Sequence, residues 1–403
     1  MLYILRILER TCIKNVSYAA LAFVCVVGLS MASSPDVQPC DGSAIVQRVN
    51  GMLEKREYDR AASALDEFRA CPARSPLETF QLGWLYGRAR RFDTALKIFN
   101  ALPPGVPDRL THDYAIALTQ FELGQYQSAI DILKSDQSSG TSDAKSTNLL
   151  AVSYSKLGMY REAYSVLAKQ IQKGTGDIAS YLNLVTVCAE GGDFTRAAET
   201  AAEARRLFPN SPDVLIVQGA AETLLGHLER AYDDFEAGVR LAPSRADARF
   251  FLALTDYKQG KFHEAVAILR RAEKEGIANS DLYYLTAECL VKLDPANNAA
   301  ILQELDRAVD LNPNSVSART LRGKLLLESG RLQPALKDLE LATHRNPDSR
   351  AALYNLARVY RALGRTAEAQ ALFRQVRTQT TDTLNEFSRR RLNEAMTDPM
   401  AQQ

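Results

Sequence analysis

The sequence has few of the residues that usually build catalytic and metal-binding sites. It contains four histidines and one tryptophan among 403 residues, and its 49 Lys and Arg side chains nearly balance 48 Asp and Glu. A formal net charge of +1 predicts no bulk attraction to nucleic acid or to an anionic membrane surface. The histidines, His112, His227, His263 and His344, lack metal-ligand spacing, and no nucleophilic triad or paired-carboxylate arrangement recurs. We therefore expect no nucleic-acid partner, no metal and no cofactor.

Three short strings resemble catalytic or ligand-binding motifs but lack the context that those motifs need. Gly191–Phe194 is similar to the active-site tag of diguanylate cyclases but lacks one acidic residue. Gly174–Ala179 fits a loose dinucleotide fingerprint, yet a predicted helix precedes it where a strand is required. His263 begins a zincin-like string, but Ala267 occupies the position of the second histidine. We interpret the first two strings as turns, with Asp177 as the N-cap of the next helix.

What the sequence does contain is an internal repeat, in which the same residue types return each time the residue number increases by 34. Its clearest copy is Pro212–Arg245, in which Gly219, Gly226, Ala231 and Phe235 stand at offsets 8, 15, 20 and 24. Offset 20 is alanine at nine positions along the chain: Ala61, Ala95, Ala129, Ala163, Ala197, Ala231, Ala265, Ala335 and Ala369. One step breaks the period, because Ala265 and Ala335 are separated by two periods plus two residues.

Each recurrent offset of this period has a physical reason within a pair of helices. Offsets 1–14 and 17–30 each predict an amphipathic helix, because apolar residues recur three and four apart. Small residues at offsets 8 and 20 let the two helices approach, and glycine at offset 15 can end the first helix in the left-handed conformation. This pattern resembles the tetratricopeptide repeat. The resemblance implies an all-α fold, a right-handed superhelical solenoid of antiparallel helix pairs.

The repeat, together with the composition of the two ends, divides the chain into four predicted segments. Residues 1–32 are a signal peptide or N-terminal anchor, 33–41 a linker, 42–379 ten repeats, and 380–403 a C-terminal cap helix and tail. The repeats begin at residues 42, 76, 110, 144, 178, 212, 246, 280, 316 and 350. We place the two extra residues of repeat eight in its inter-helix turn, around Asp294–Asn298.

The N-terminal segment 1–32 has the layout of a secretory signal peptide. Arg6, Arg10 and Lys14 precede the apolar run Tyr18–Met31, and a small-residue cleavage site ends at Ala32. The run is shorter than the roughly 20 residues of a membrane span, which favours cleavage, although the long positive flank leaves an uncleaved anchor open. In both cases we expect the repeats to lie outside the cytoplasm, in the periplasm or secreted, or anchored to the inner membrane.

The cysteines suggest one disulfide. Cys40 precedes the first helix of repeat one and Cys71 ends its second helix, and antiparallel helices bring those ends together. Export permits a Cys40–Cys71 bridge, with two free thiols as the alternative. Cys188 and Cys289 are predicted to be small core residues.

The resemblance also implies a binding surface, because offsets 2, 5, 9 and 12 of the first helices line the concave groove in this family. Two apolar clusters occupy these offsets and are the predicted partner contacts: Phe80, Trp84, Tyr114, Leu118 and Phe121 in repeats two and three, and Phe250, Leu254, Tyr257 and Tyr284 in repeats seven and eight. The alternative is that about half of them pack between repeats. Asp213, Asp247 and Asp281 at offset 2 are interpreted as favourable charges at helix N-termini.

These observations favour a non-enzymatic, exported scaffold that binds a partner protein or peptide in its groove. An accessory subunit of an envelope assembly, such as one for glycan export or cytochrome maturation, is the competing hypothesis, with the N-terminal segment as an uncleaved membrane anchor. An enzyme is disfavoured, since the repeats leave no sequence for a catalytic domain.

Overall fold

The computed structural model describes residues 42–70, 75–103, 105–138 and 143–379, and every regular element in those ranges is a helix. The predicted signal peptide or anchor (1–32), the linker (33–41), the cap helix and tail (380–403) and the Cys40–Cys71 bridge lie outside the described residues. Within the described ranges, no helix has both the length and the apolar character that crossing a bilayer requires.

The helices come in pairs, one pair for each predicted repeat, and the two members of a pair pack against each other. In chain order the helices are α1 (Gly42–Glu54), α2 (Tyr58–Arg69), α3 (Pro76–Arg88), α4 (Phe92–Ala101), α5 (Arg109–Glu122), α6 (Tyr126–Ser138), α7 (Ala144–Lys156), α8 (Tyr160–Gln172), α9 (Ile178–Glu190), α10 (Phe194–Leu207), α11 (Pro212–Leu225), α12 (Leu228–Leu241), α13 (Ala246–Lys258), α14 (Phe262–Lys274), α15 (Ser280–Leu293), α16 (Asn298–Leu311), α17 (Val316–Glu328), α18 (Leu332–Arg345), α19 (Arg350–Ala362) and α20 (366–379). Odd-numbered helices are the first helices of the repeats.

The turn between the helices of a pair depends on a left-handed residue at offset 15. Gly226 has φ of 83°, and its N–H donates to the carbonyls of Glu222 and Thr223, which ends α11. The glycines at this offset in seven repeats all have φ between 72° and 84°. Repeats one and two have Arg56 (φ 59°) and Arg90 (φ 61°) instead. A side chain in this conformation costs roughly 1–2 kcal/mol, so these two turns are strained.

Close packing inside a pair explains the small residues at offsets 8 and 20. A Cβ atom added to Gly219 would lie 2.7 Å from Phe235, so the glycine makes room for the ring at offset 24. The nine alanines at offset 20 are at most 2% exposed. Repeat eight has Ile301 at that place, also fully buried, and its two extra residues lengthen the turn between Leu293 and Asn298.

The described chain forms two compact units that divide after Leu241. The first unit contains repeats one to six and the second contains repeats seven to ten. In repeats seven and nine of the second unit, arginine stands at offset 4, where the family often has an aromatic residue. The buried side chains of Arg249 and Arg319 donate from Nε to the carbonyls of Pro243 (3.0 Å) and Pro313 (2.6 Å), which ties each first helix to the preceding turn.

Buried carboxylates at offset 23 also join the helices. Asp234 is 6% exposed and pairs with Arg205 of the preceding repeat, and Asp338 is 2% exposed and pairs with Arg319 (2.5 Å) and Arg322 (2.6 Å). Burial raises the pKa of Asp234 to about 6 and outweighs the lowering effect of Arg205.

Candidate functional site

Two of the three strings that resemble motifs include turns between helices, and the third, which begins at His263, lies within α14. Gly191–Phe194 spans the turn between α9 and α10, where the Asp193 carboxylate accepts from the backbone N–H of Arg196 (3.0 Å). Asp177 caps α9 by accepting from the N–H of Ser180 (2.8 Å), as predicted. Among the residues that the structure describes, no group of three His, Cys, Asp or Glu side chains could hold a metal ion.

The two cysteines in the described ranges are packing residues. Cys188 is 5% exposed and Cys289 is fully buried, and both are free thiols. Burial raises the pKa of Cys188 to about 11 and that of Cys289 to about 12. Because the thiolate is the reactive form, neither side chain is a nucleophile near neutral pH.

The predicted partner contacts lie on one face of the first helices. We call it the first-helix face and define it as the side chains at offsets 2, 5, 9 and 12 of the odd-numbered helices. Within one helix, offsets 5, 9 and 12 follow each other at intervals of four and three residues, so they share one side. The nine predicted partner contacts all belong to this face.

In the first unit the predicted contacts are mostly interior. Phe80, Tyr114, Leu118 and Phe121 are 2%, 7%, 0% and 5% exposed. Phe80 packs against Phe99 with ring centroids 5.3 Å apart, and Phe121 packs against Tyr126 at the same distance. These aromatic residues recur at helical spacing because they fill the space between helices, and they do not form an open patch in the chain by itself.

Trp84 is the one predicted contact of the first unit that stays half-buried. Its ring meets those of Phe80 and Phe99 edge-on, with both centroids 6.2 Å away. The indole is therefore held in place by the core while part of its surface remains accessible. Leu77, at offset 2 of the same helix, is 50% exposed and also belongs to the first-helix face.

In the second unit three of the four predicted contacts are accessible. Phe250 is 3% exposed and packs against Phe251, whereas Leu254, Tyr257 and Tyr284 are half-buried. The hydroxyl of Tyr284 donates to Glu288 Oε1 (2.8 Å). The hydroxyl of Tyr257, from the preceding repeat, donates to Glu288 Oε2 (3.3 Å).

Glu288 therefore holds two tyrosine rings from neighbouring repeats. Burial, and next the charge of Glu288, raises the pKa of Tyr257 to about 12, so the phenol remains a donor at neutral pH. The same two causes raise the pKa of Tyr284. Sequence reasoning placed Glu288 at offset 9 but did not identify it as part of the site, because the pattern shows where a residue lies and not what its oxygens accept.

Sequence reasoning missed a second accessible aromatic residue, Tyr354 of α19. It stands at offset 5 and is 48% exposed, with its ring centroid 5.8 Å from that of Phe373. The signal was available, since Tyr354 occupies the same offset as Tyr284 and Phe250. It lies outside the two predicted clusters, and Arg358 and Arg361 follow it at offsets 9 and 12.

Charge changes sign along the first-helix face of the second unit. Repeats seven and eight contribute Asp247, Asp281 and Glu288, of which Asp247 pairs with Arg245. Repeats nine and ten contribute basic residues at offsets 9 and 12, namely Lys324, Arg358 and Arg361. Asp247 and Asp281 lie in the first turns of α13 and α15, where negative charge stabilises the helix.

Comparison with known protein families supports the repeat assignment. Two tetratricopeptide repeat models match residues 182–246 and 326–387. The model for anaphase-promoting complex, cyclosome, subunit 3 matches residues 88–170 and 217–303. Among curated proteins, anaphase-promoting complex subunit 7 of Homo sapiens is 28% identical over 133 residues, and the Mus musculus protein is 29% identical. The human match covers 33% of this chain and only 23% of the length of that relative.

Two solved repeat proteins align with this chain. A tetratricopeptide repeat protein from Parabacteroides merdae aligns over 62% of this chain and 98% of its own, with 17% identity and a TM-score of 0.50. YrrB, described as a TPR protein with an unusual peptide-binding site, aligns over 48% of this chain and 99% of its own, with 25% identity and a TM-score of 0.35. The helix pairs, the internal repeat and the family matches agree, and the chain belongs to the tetratricopeptide repeat proteins.

Proposed function

We propose that this protein is a non-enzymatic scaffold that binds a segment of a partner protein along the first-helix face of residues 242–379. The tetratricopeptide repeats make the chain a protein-interaction scaffold, and the proposal adds where the partner binds. It is carried by one observation: Leu254, Tyr257, Tyr284 and Tyr354 keep accessible surface on this face.

The geometry of these side chains suits binding. Tyrosine presents a large apolar ring with little conformational entropy to lose, and such anchors often dominate an interface. Glu288 fixes the rings of Tyr257 and Tyr284 through hydrogen bonds of 3.3 and 2.8 Å. A partner therefore meets rings that are already oriented, which lowers the entropic cost of binding.

The resemblance to subunits of the anaphase-promoting complex supports a role inside a multi-protein assembly. By their names, the matching family and relatives are subunits of a complex. The matched region is a fraction of those relatives, so the proposal takes from them only the general role of an assembly subunit. This observation equally favours the accessory-subunit hypothesis for this chain.

Site-specific photo-crosslinking tests the binding face. A photoreactive phenylalanine analogue is introduced at Tyr257 in one variant and at Leu254 in another, in the full chain in its own cells. We expect both variants to crosslink the same partner protein. The matched control is Leu311, which is 51% exposed on the second helix α16 and should give no adduct with that protein. Crosslinking from Leu311 alone would place the binding surface on the second helices.

We also propose that the chain is exported, which rests on the N-terminal layout of Arg6, Arg10, Lys14 and the apolar run Tyr18–Met31. N-terminal sequencing of the protein from the envelope fraction should find Ser33 as the first residue. An intact N-terminus in that fraction would support the uncleaved anchor. Recovery of the whole protein in the cytoplasm would refute export.

A further inference from the structure

The last described first helix, α19, carries basic and aromatic side chains on one side. Arg350, Tyr354, Arg358 and Arg361 follow each other at intervals of four, four and three residues, which places them on one face. We call this set the α19 stripe. Arg350 and Arg361 are exposed, Arg358 is half-buried, and Tyr354 is 48% exposed. The stripe includes offsets 5, 9 and 12 of repeat ten and thus continues the first-helix face.

Aromatic rings hold two of these arginines in position. The guanidinium carbon of Arg358 lies 6.0 Å from the ring centroid of Tyr354. That of Arg361 lies 5.9 Å from the ring centroid of Phe373, which itself packs against Tyr354. Cation–π contacts orient a guanidinium but leave its N–H donors available.

The arginines of the stripe have no acidic partner within the described ranges. Arg350, Arg358 and Arg361 form no ion pair there, and Arg358 donates only to the amide oxygen of Asn355, at 3.3 Å. By contrast, Arg365, just beyond the end of α19, is paired with Glu368 at 2.7 Å. Among the described residues, no carboxylate forms an ion pair with the three guanidiniums of the stripe, which lie next to an exposed ring.

We propose that the α19 stripe binds an acidic segment of a partner protein. The planar fork of arginine matches a carboxylate with two parallel hydrogen bonds, so Asp and Glu of the partner pair with Arg358 and Arg361. The exposed ring of Tyr354 contacts an apolar side chain of the same segment. This inference rests on the proposed function, because it specifies the partner chemistry of one end of the first-helix face.

The rest of the unit explains why the occupant is an acidic stretch of protein and not a long polyanion. Repeats seven and eight place Asp281 and Glu288 on the first-helix face of the same unit, and a polyanion that follows the face meets these charges. Nucleic-acid affinity grows with the number of phosphates neutralised, and the chain as a whole has a net charge of only +1. A protein segment can carry carboxylates at one end and neutral or basic residues at the other.

Fluorescence anisotropy with synthetic peptides and the full chain tests the proposal. The probe is a labelled peptide of alternating Glu and Ser with one central Phe, compared with the same peptide in which Gln replaces every Glu. We expect the Glu probe to bind at low salt, to weaken as salt screens the charges, and to bind more tightly than the Gln probe. Equal affinity for the two probes would overturn the proposal, as would no binding of the Glu probe.

Charge reversal locates the site. Arg358→Glu with Arg361→Glu should weaken binding of the Glu probe about tenfold or more, which corresponds to about 1.4 kcal/mol or more. The matched control, Arg331→Glu with Lys337→Glu, makes the same charge change at exposed positions of repeat nine outside the stripe and should bind as wild type. Circular dichroism checks that both variants fold. If both variants lose affinity for the Glu probe equally, the effect is one of general charge and the stripe is not the binding site.

A third comparison tests the ring. Tyr354→Ala should weaken binding of the Glu probe with its central Phe. It should leave unchanged the binding of a probe that has Gly in place of that Phe.

A single-stranded RNA oligonucleotide that binds more tightly than the Glu probe, with the same dependence on Arg358 and Arg361, would refute a protein partner. If the Glu probe does not bind while Tyr257 still crosslinks the partner, the proposal for the α19 stripe is rejected and the proposed function stands. If the Glu probe binds but neither Tyr257 nor Leu254 crosslinks a partner, the wider binding face is rejected and the proposal for the stripe stands.

Discussion

At offset 9 the first-helix face is buried in repeats three to six of the first unit and partly accessible throughout the second. At offset 9 repeats three to six have Leu118, Val152, Thr186 and Ala220, which are at most 3% exposed, whereas Asn50 and Trp84 of repeats one and two are half-buried. At the same offset the second unit has Leu254, Glu288, Lys324 and Arg358, all partly accessible. Charged side chains keep offset 9 in contact with water in repeats eight to ten. Residue type is not the whole reason, because Leu254 is partly accessible while Leu118, also a leucine, is buried. One repeat pattern thus yields a mostly packed position in one unit and an accessible position in the other.

The largest expected effect compares offset 5 in the two units. Phe80→Ala should lower the free energy of unfolding by about 3–5 kcal/mol, because it removes a buried ring. Tyr354→Ala, at a position that is 48% exposed in the second unit, should cost less than about 1 kcal/mol. Urea unfolding followed by far-UV circular dichroism measures both, and the fluorescence of Trp84, the single tryptophan, reports the first unit. Similar losses for both changes would contradict the contrast between the units.

The next effect separates packing from binding. Tyr257→Ala should weaken partner binding by about 2 kcal/mol while changing stability little, because the ring is partly accessible and held by a hydrogen bond. Tyr114→Ala, 7% exposed in the first unit, should instead lower the melting temperature. Titration calorimetry with the crosslinked partner and thermal unfolding give the two quantities. If Tyr114→Ala lowers the affinity for the partner and leaves the melting temperature unchanged, the binding site lies in the first unit.

A smaller effect concerns the buried carboxylate of the first unit. Asp234 has a folded pKa of about 6 against an ordinary value of 3.8, so the fold favours its protonated form. The stability that this preference contributes is complete below the ordinary pKa and is lost as pH rises to the folded pKa, so stability should fall between about pH 4 and about pH 6. Asp234→Asn should remove this fall, while the exposed neighbour Asp233 changed to Asn should keep it. Urea unfolding at several pH values tests this, and equal slopes in all three proteins would contradict it.

The smallest effect tests the strained turns, which are confined to the first two repeats. Arg56→Gly should raise the free energy of unfolding by up to about 1 kcal/mol, because glycine accepts φ of 59° without strain. Gly260→Ala, at the same offset in the second unit with φ of 77°, should lower it by about 1 kcal/mol. Lys55→Gly is the control and should give no gain, since its φ is not in the left-handed region. Denaturant midpoints measure the three changes, and a loss from Arg56→Gly would show that its side chain stabilises the turn.

The fold was predictable because its determinants are local. The internal repeat, with alanine at offset 20 and glycine at offset 15, is visible in the chain, and each copy corresponds to one helix pair. The left-handed turn at Gly226 and the N-cap at Asp177 follow from backbone sterics and from unsatisfied N–H groups at a helix start. Neither depends on distant contacts, so a short stretch of sequence is enough to predict them.

The candidate site was predictable only in position. Periodicity placed Phe80 and Tyr284 at equivalent offsets, yet the first is 2% exposed and the second is half-buried. Their exposure depends on which side chains the neighbouring helices bring beside them, and those lie a full repeat away. For the same reason, the pattern could not show the contact between Glu288 and two tyrosines, or that the arginines of the α19 stripe have no ion pair among the described residues.

The sequence by itself therefore determined the helix pairs, their turns and the residues that share the first-helix face. Helix length, helix ends and the set of residues on one helix face depend on steric and hydrogen-bonding properties of residues within one turn of each other. The tertiary structure alone decided which part of that face stays open. Burial is a property of several packed helices at once, and it makes Leu118 a core residue while Leu254, its equivalent four repeats further on, stays partly accessible.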